Sequence, residues 1–267
     1  MTRRAISIVM ISALLAPLAT HAAEWTNAGQ NLSNTRHQAD ETGISAVTAP
    51  RLDVKWMAKL SGASFATPAV EGDAVYMVDY AGRLYRLDRE TGKVVWKKRV
   101  SELSGIRGDR TRATPAIAGN LLIFGTQGGP EIFKGGVPVV AVDKHTGALV
   151  WTTKIEEQAQ AVITQSAVVH DGIAYVGVSS WGEYVAAKVS GYQCCTFRGS
   201  LNALDVKTGA LLWKTMMTPD VAGYSGNPVW GGMPAIDPSR GMIYVTTGNA
   251  YTLPEDVIAC VGAARKA

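Results

Sequence analysis

A nine-residue phrase that occurs three times constrains this chain more than any other feature. Its pattern is Asp-x-x-Thr-Gly-x-x-x-Trp, and the copies begin at Asp88, Asp143 and Asp205, about 60 residues apart. Glycine supplies the backbone freedom that a tight turn needs, and Asp and Thr side chains hydrogen-bond the backbone of such turns. The phrase therefore predicts repeated supersecondary units, each with a turn between two short strands.

Each copy is preceded by a run of strand-forming residues, at Ala74–Val78, Leu121–Phe124 and Ile173–Val178, and each run follows an opening rich in Ser and Thr. No run of ten or more residues after the N-terminus shows helical apolar periodicity. Units of about four short strands at this period predict an all-β fold, a β-propeller, in which the repeated tryptophans pack between blades.

The predicted ring is incomplete in this chain. The three phrases end at Trp96, Trp151 and Trp213, and an unfinished fourth blade is predicted over residues 233–267, with a strand at Met242–Thr247. A partial unit, Leu52–Trp56, precedes the first blade. Because propellers close with four to eight blades, we expect residues 23–267 to form about three and a half blades of a larger ring, as a truncated chain would.

The N-terminus has the pattern of a secretory signal. A basic start is followed by an apolar stretch and small residues, which predicts a signal peptide over residues 1–22, cleaved after Ala22 or Ala23, and a periplasmic protein. The alternative is a membrane anchor, although the apolar run is short for one. No other segment is predicted to span a membrane. A net charge of +4 over 267 residues gives no reason to expect nucleic acid as a partner.

The three cysteines are Cys194, Cys195 and Cys260. Adjacent cysteines do not fit a Cys-x-x-Cys zinc site, and the chain has no Cys-x-x-Cys-His haem motif. Cys194 and Cys195 can form a vicinal disulfide or remain two reduced thiols, and the sequence leaves both possibilities open. Cys260 is the unpaired member of the set.

The repeated phrase resembles the tryptophan-docking motif of the pyrroloquinoline quinone (PQQ) dehydrogenases, which form eight-bladed propellers. Residues 25–36, WTNAGQNLSNTR, look like the start of their catalytic domains. Two further segments are similar to the polyvinyl alcohol dehydrogenases of this family: CCTFRGS from Cys194, and YVTTGN, which ends at Asn249. The resemblance covers the mature chain, although non-enzymatic propellers share the repeated phrase.

The resemblance implies a cofactor site with Ca²⁺ beside PQQ. The matching metal ligands are Glu183, in a Ser-Ser-Trp-Gly-Glu loop, and Asn249, after a Thr-Gly pair. Oxygen ligands of this kind suit a hard cation. Trp230 matches the tryptophan that stacks under the quinone, where a flat indole contacts a flat ring.

The remaining implied contacts are less specific. Cys194 and Cys195 match the vicinal pair that covers the other quinone face in some relatives. Arg112 is expected to bind a quinone carboxylate through its guanidinium fork, with Arg198 as a second candidate. Hydroxyl contacts are expected from Thr164 and Ser180. Each of these residues also has a plain alternative as a core, turn or surface residue.

The resemblance therefore implies oxidation of an alcohol, secondary or polymeric such as polyvinyl alcohol, with electrons passed to cytochrome c. The catalytic Asp of the family is expected beyond the C-terminus, so no catalytic residue is assigned and this chain alone is expected to be inactive. Two alternatives remain: a non-catalytic propeller scaffold of the outer-membrane-assembly type, and an exported protein that binds a sugar or polymer. Neither requires Glu183, Asn249 and Trp230 together.

Overall fold

The computed structural model describes residues 23–129, 136–192 and 194–265. The predicted signal peptide, residues 1–22, lies outside the described residues. Within the described ranges, no helix is both long enough and apolar enough to cross a bilayer.

Three antiparallel sheets, each a meander of consecutive strands, form most of the fold. The first sheet consists of β1 (Ala69–Glu71), β2 (Ala74–Asp79), β3 (Arg83–Asp88) and β4 (Val94–Arg99). The second consists of β5 (Ala116–Ala118), β6 (Leu121–Gly125), β7 (Val137–Asp143) and β8 (Leu149–Glu156). The short β9 (Ala161–Val162) leads into the third, which consists of β10 (Val168–His170), β11 (Ile173–Ser180), β12 (Ser200–Asp205) and β13 (Leu211–Met216). These sheets are the three predicted blades.

A partial fourth unit follows the third sheet, and its first strand precedes the 233–267 range expected for it. Its strands pair as two short ribbons, β14 (Ser225–Gly226) with β17 (Ala250–Thr252), and β15 (Ala235–Asp237) with β16 (Met242–Tyr244). β16 is shorter than the strand expected at Met242–Thr247. The partial unit at Leu52–Trp56 forms no strand and runs as an extended segment.

In the described ranges, three short helices interrupt the β pattern: α1 (Val100–Ser104), α2 (Gly182–Lys188) and α3 (Glu255–Ala264), with a 3-10 turn at Ala49–Arg51. The ten-residue α3 forms although no run of this length after the N-terminus shows helical apolar periodicity. No residue of α3 is buried, so it lacks the core-facing stripe that a search for periodicity detects. Cys260 lies exposed on α3 as a free thiol.

The repeated phrase forms the same hydrogen-bonded turn in each blade. In the first, the Thr91 backbone N–H and hydroxyl both donate to Asp88 Oδ1, at 2.8 and 2.6 Å. Gly92 has a φ of +68°, in the left-handed region that favours glycine. Asp143 and Asp205 make the equivalent bonds to Thr146 and Thr208.

These turns make stability depend on acid pH. The Thr hydroxyl, then the Thr backbone N–H, lowers the pKa of each carboxyl of Asp88, Asp143 and Asp205 below the usual 3.8. A folded-state pKa below the unfolded value stabilises the fold above the unfolded pKa, and the benefit is lost as pH falls through the folded value. In urea denaturation we expect the free energy of unfolding to decrease as the pH is lowered below about 4. This pH dependence should be weaker when all three aspartates are replaced by Asn. Asp40→Asn, an exposed carboxylate outside the turns, serves as control, and an unchanged pH slope in the triple variant would contradict the assignment.

Trp56 and the tryptophans that end the first two phrases each pack on the next Thr-Gly turn along the chain. The Trp56 ring lies over Gly92, Trp96 over Gly147, and Trp151 over Gly209, where an added Cβ would come within 3.0 Å of the ring atoms. Trp56 and Trp151 also donate Nε1–H to the backbone carbonyls of Arg89 and Val206, both at 2.9 Å. The glycine of each phrase therefore serves both the turn and the contact between blades.

The Ser/Thr-rich openings connect the inner ends of the blades. The Thr67 N–H donates to Thr114 Oγ1 at 3.0 Å, and the Thr114 N–H donates to Ser166 Oγ at 2.9 Å. Each opening hydroxyl thus binds the backbone of the preceding blade. Two apolar clusters fill the spaces between the first and second sheets and between the second and third. The core consequently lies between the blades, as in a propeller.

Candidate active site

Glu183 and Asn249 lie in contact, although 66 residues separate them in the chain. Glu183 lies in the first turn of α2, directly after β11, and Asn249 directly precedes β17. Asn249 Nδ2 donates to Glu183 Oε1 at 3.1 Å, and both side chains are exposed. Turning the Asn249 amide over would place its oxygen beside the carboxylate, so the pair can offer two hard oxygen donors to one cation.

Tyr251 lies next to the Glu183–Asn249 pair, and the pKa of its phenol is shifted upward. Burial, then the negative charge of Glu183 and the nearby Tyr192 phenol, raises the pKa of Tyr251 to about 12. Its buried hydroxyl has no hydrogen-bond partner among the described residues. The phenol therefore stays protonated at neutral pH and keeps one wall of the Glu183 site uncharged.

The adjacent cysteines form a vicinal disulfide in the structure. Cys195 is buried and Cys194 exposed. The Cys195 carbonyl accepts a hydrogen bond from Ser225 Oγ at 2.7 Å, and a Cβ on Gly182 would lie 3.4 Å from Cys195 Sγ. The disulfide is therefore packed against Gly182, the residue before Glu183 at the start of α2, and Ser225 of β14 bonds to it.

Trp181, which the sequence reasoning did not select, joins several of the predicted residues. Its ring lies 6.1 Å from that of Trp230, edge to face, and 5.8 Å from the Arg112 guanidinium. Trp230 is also close to the Asn249 loop, because a Cβ on Gly248 would lie 2.9 Å from the indole. Glycine before Asn249 thus permits the close approach. Trp181 belongs to the same Ser-Ser-Trp-Gly-Glu loop as Glu183, and this closeness in sequence could have indicated it.

A cavity of about 270 Å³ lies beside these aromatics, and Arg112 and Thr164 both line it. Arg36 is also part of its wall, so two guanidinium groups face one space. Thr164 is buried, and its hydroxyl accepts a bond from the Gly231 N–H at 3.2 Å. Two arginines among hydroxyl groups favour an anionic ligand such as a carboxylate.

Two of the expected contacts have other roles in the structure. Ser180 is buried, and its hydroxyl accepts a bond from the Gly182 N–H at 2.9 Å, which fixes the start of α2. Arg198 binds Asp220 at 3.0 Å and Thr218 Oγ1 at 2.6 Å. Arg198 therefore ties down its own loop, and Arg112 is the arginine in position for a ligand.

Comparison with known proteins assigns the chain to a family. The family model PQQ_2, described as outer membrane protein assembly factor BamB, matches residues 32–193. The chain belongs to the PQQ_2 family. This match, together with the dehydrogenase relatives described next, confirms the family resemblance indicated by the repeated phrase.

Within this kinship the chain is similar to two polyvinyl alcohol dehydrogenases. The one from a Pseudomonas species is 31% identical over 242 residues, which are 86% of this chain and 36% of that protein. The one from a Sphingopyxis species is 31% identical over 243 residues, again 86% and 36%. The chain thus spans about a third of the length of these relatives.

Solved structures confirm the fold. A quinohemoprotein alcohol dehydrogenase from Pseudomonas putida superposes with a TM-score of 0.67 at 19% identity, over 85% of this chain and 35% of that one. The predicted all-β propeller of the PQQ-dehydrogenase type, present in part, is therefore correct.

Proposed function

We propose that this chain carries part of the cofactor site of a periplasmic quinoprotein that oxidises an alcohol with PQQ and Ca²⁺ and passes the electrons to cytochrome c. The observation that carries the proposal is the contact between Glu183 and Asn249, beside the vicinal disulfide and the Trp181–Trp230 pair. The names of the relatives, polyvinyl alcohol dehydrogenases, support a secondary or polymeric alcohol as the substrate.

The donor set fits such a cation. Glu183 and Asn249 offer carboxylate and amide oxygens, the ligands that Ca²⁺ prefers. No group of three His, Cys, Asp or Glu side chains with metal-site geometry occurs in the described ranges. A cation at Glu183 would therefore complete its shell with oxygens from the cofactor, water or residues of the larger ring.

The side chains of this chain would bind and orient the cofactor. Arg112 binds a carboxylate through its fork, and Thr164 lies in the same cavity to accept or donate a hydrogen bond. The Trp230 face and the vicinal disulfide would exclude water from the quinone. When bound, PQQ supplies the hydride-accepting chemistry and the cation polarises its carbonyl.

Binding of the cofactor is the direct test, because the chain spans about a third of its relatives. The full chain is mixed with PQQ and Ca²⁺, desalted, and examined for quinone absorbance. We expect retention that depends on Ca²⁺. In Glu183→Gln, the Ca²⁺ concentration needed for half-maximal retention should rise at least about tenfold, because one anionic ligand is lost. Glu255→Gln, another exposed carboxylate in the first turn of a helix, should behave as the unmodified protein.

The second candidate function is a non-catalytic scaffold, which the BamB description of the matching family model favours. A scaffold would retain no quinone under any Ca²⁺ concentration. Absence of retention, or equal retention in Glu183→Gln and the unmodified chain, would therefore reject the cofactor site proposed here.

A further inference from the structure

The first described segment of the chain crosses the first strands of several blades. We call residues 25–36 the N-terminal strap. Trp25 pairs with Val70 of β1, and the carbonyls of Thr26 and Leu32 accept backbone N–H groups of β5 and β15, both at 2.8 Å. Because these bonds join the strap to three separate units, its course across the fold is fixed along its length.

The strap ends in Arg36, whose backbone is held in an unusual conformation. Its φ is +54°, in the left-handed region that few residues other than glycine adopt, and its N–H donates to the Gly29 carbonyl at 3.0 Å. Asn34 Nδ2 donates to the Met233 carbonyl at 2.9 Å, which attaches this end of the strap before β15. A Cβ on Gly232 would lie 3.9 Å from Arg36 Nη2. Strained backbone of this kind persists where surrounding contacts hold it and is frequent at ligand sites.

Every charged side chain described at the cavity beside the strap is positive. Arg36 and Arg112 both line this space of about 270 Å³, and no Asp or Glu lines it among the described residues. Guanidinium groups keep their charge at any physiological pH, so two of them in one small space repel each other unless an anion lies between them. The charge of the cavity itself therefore selects an anionic ligand.

The hydroxyl groups of the cavity add further hydrogen-bond donors. Thr114 and Ser166 both line it. Thr114 Oγ1 accepts the Thr67 N–H at 3.0 Å, and Ser166 Oγ accepts the Thr114 N–H at 2.9 Å. A hydroxyl oxygen that accepts a backbone N–H keeps its own proton to donate. The lining is thus rich in donors, and this composition favours a ligand with several acceptor oxygens.

We propose that Arg36 is a second carboxylate-binding residue, so that Arg36 and Arg112 together bind a ligand with at least two carboxylate groups. One carboxylate pairs with one guanidinium fork and leaves the other charge unbalanced, whereas two carboxylates match both. This inference rests on the proposed function where it assigns the carboxylates to the quinone cofactor. The same groups can belong to a separate polycarboxylate, and competition by PQQ distinguishes the two sources.

The test measures binding of benzene-1,3,5-tricarboxylate, which is not a quinone, to the full chain by isothermal titration calorimetry, with neither PQQ nor Ca²⁺ present. We expect saturable binding that is tighter than the binding of benzoate. Arg36→Gln should weaken tricarboxylate binding by about tenfold but benzoate binding by less than about threefold, because Arg112 still binds one carboxylate. Arg36→Lys keeps the charge and loses the fork, so its affinity should lie between the two. Arg51→Gln, an exposed arginine outside the cavity, should leave both affinities unchanged.

The outcomes separate this inference from the proposed function. Absence of saturable tricarboxylate binding, equal binding by Arg36→Gln and the unmodified chain, benzoate binding as tight as that of the tricarboxylate, or displacement by an equal concentration of inorganic phosphate overturns the role of Arg36 even if quinone is retained. Weakened tricarboxylate binding in Arg36→Gln, together with absence of quinone retention by the unmodified chain, upholds Arg36 and rejects the cofactor site. Displacement of the tricarboxylate by PQQ with Ca²⁺ present supports the cofactor as the ligand, and lack of displacement upholds Arg36 with a separate polycarboxylate.

Discussion

Replacing Trp151 with alanine is expected to lower the free energy of unfolding by about 3–5 kcal/mol. The indole is 8% exposed, lies on Gly209 between the second and third blades, and donates its N–H to the Val206 carbonyl at 2.9 Å. Alanine would remove the ring, leave a cavity between the blades and free a carbonyl. Urea denaturation followed by circular dichroism measures the loss.

Trp213 provides the matched control, because it occupies the same place in the third phrase. It is 39% exposed, since the described residues contain no fourth Asp-x-x-Thr-Gly turn for its ring to cover. Trp213→Ala should cost clearly less than Trp151→Ala, because its more exposed ring keeps the contact with Tyr175 but lacks a contact with a following turn. Equal losses at both positions would show that contact with the next blade contributes little.

Asp79→Ala is expected to be the most damaging single change in the first blade, with a loss of about 3 kcal/mol or more. The carboxylate is fully buried and accepts four hydrogen bonds. The donors are the backbone N–H groups of Ser61, Gly62 and Arg83 and the hydroxyl of Tyr85. Removing the carboxylate leaves the Gly62 and Arg83 N–H groups without this acceptor, whereas Ser61 and Tyr85 still bond to each other. Each unsatisfied buried donor costs about 1–3 kcal/mol.

The predicted signature of Asp79→Ala is release of the segment that carries Trp56. This segment is attached to the first blade through Ser61 and Gly62, so trypsin should cut it at Lys55 or Lys59 faster than in the unmodified protein. Asp73→Ala, an exposed carboxylate paired with Arg86 on the same blade, should change stability by less than about 1 kcal/mol. A cleavage rate unchanged by Asp79→Ala would show that other contacts hold the segment.

The repeated parts of the fold could be predicted because their chemistry is local. The Asp-x-x-Thr-Gly turn needs only contacts within a few residues, so Asp88 and Gly92 indicate it directly. The strands at Ala74–Asp79 and Ile173–Ser180 follow from runs of apolar residues that are buried on both faces. The openings were recognised as a pattern, but the bond from the Thr114 N–H to Ser166 joins two blades and has no local signal.

The candidate site could be predicted less completely, because its members come from distant parts of the chain. The contact between Glu183 and Asn249 has no spacing rule behind it and was expected from family resemblance alone. Trp181 was missed because it lies outside the repeat and, unlike Trp230, was not matched to a cofactor contact by the resemblance. Tyr251 was missed because its raised pKa depends on burial and on Glu183, which the fold brings together.

The hydroxyl groups of the Ser/Thr-rich openings link each blade to the next, so local stability is expected to differ from blade to blade. Each blade is bonded to its immediate neighbours, through Thr67 to Thr114 and from Thr114 to Ser166, so unfolding free energy is distributed as in a one-dimensional array. The middle blade has partners on both sides, while the partial blade is a two-stranded ribbon in which β16 pairs with no further strand among the described residues. Fraying should therefore begin at the C-terminal ribbon and travel inward, and the amide protons of β6 and β7 should be the last to exchange with solvent.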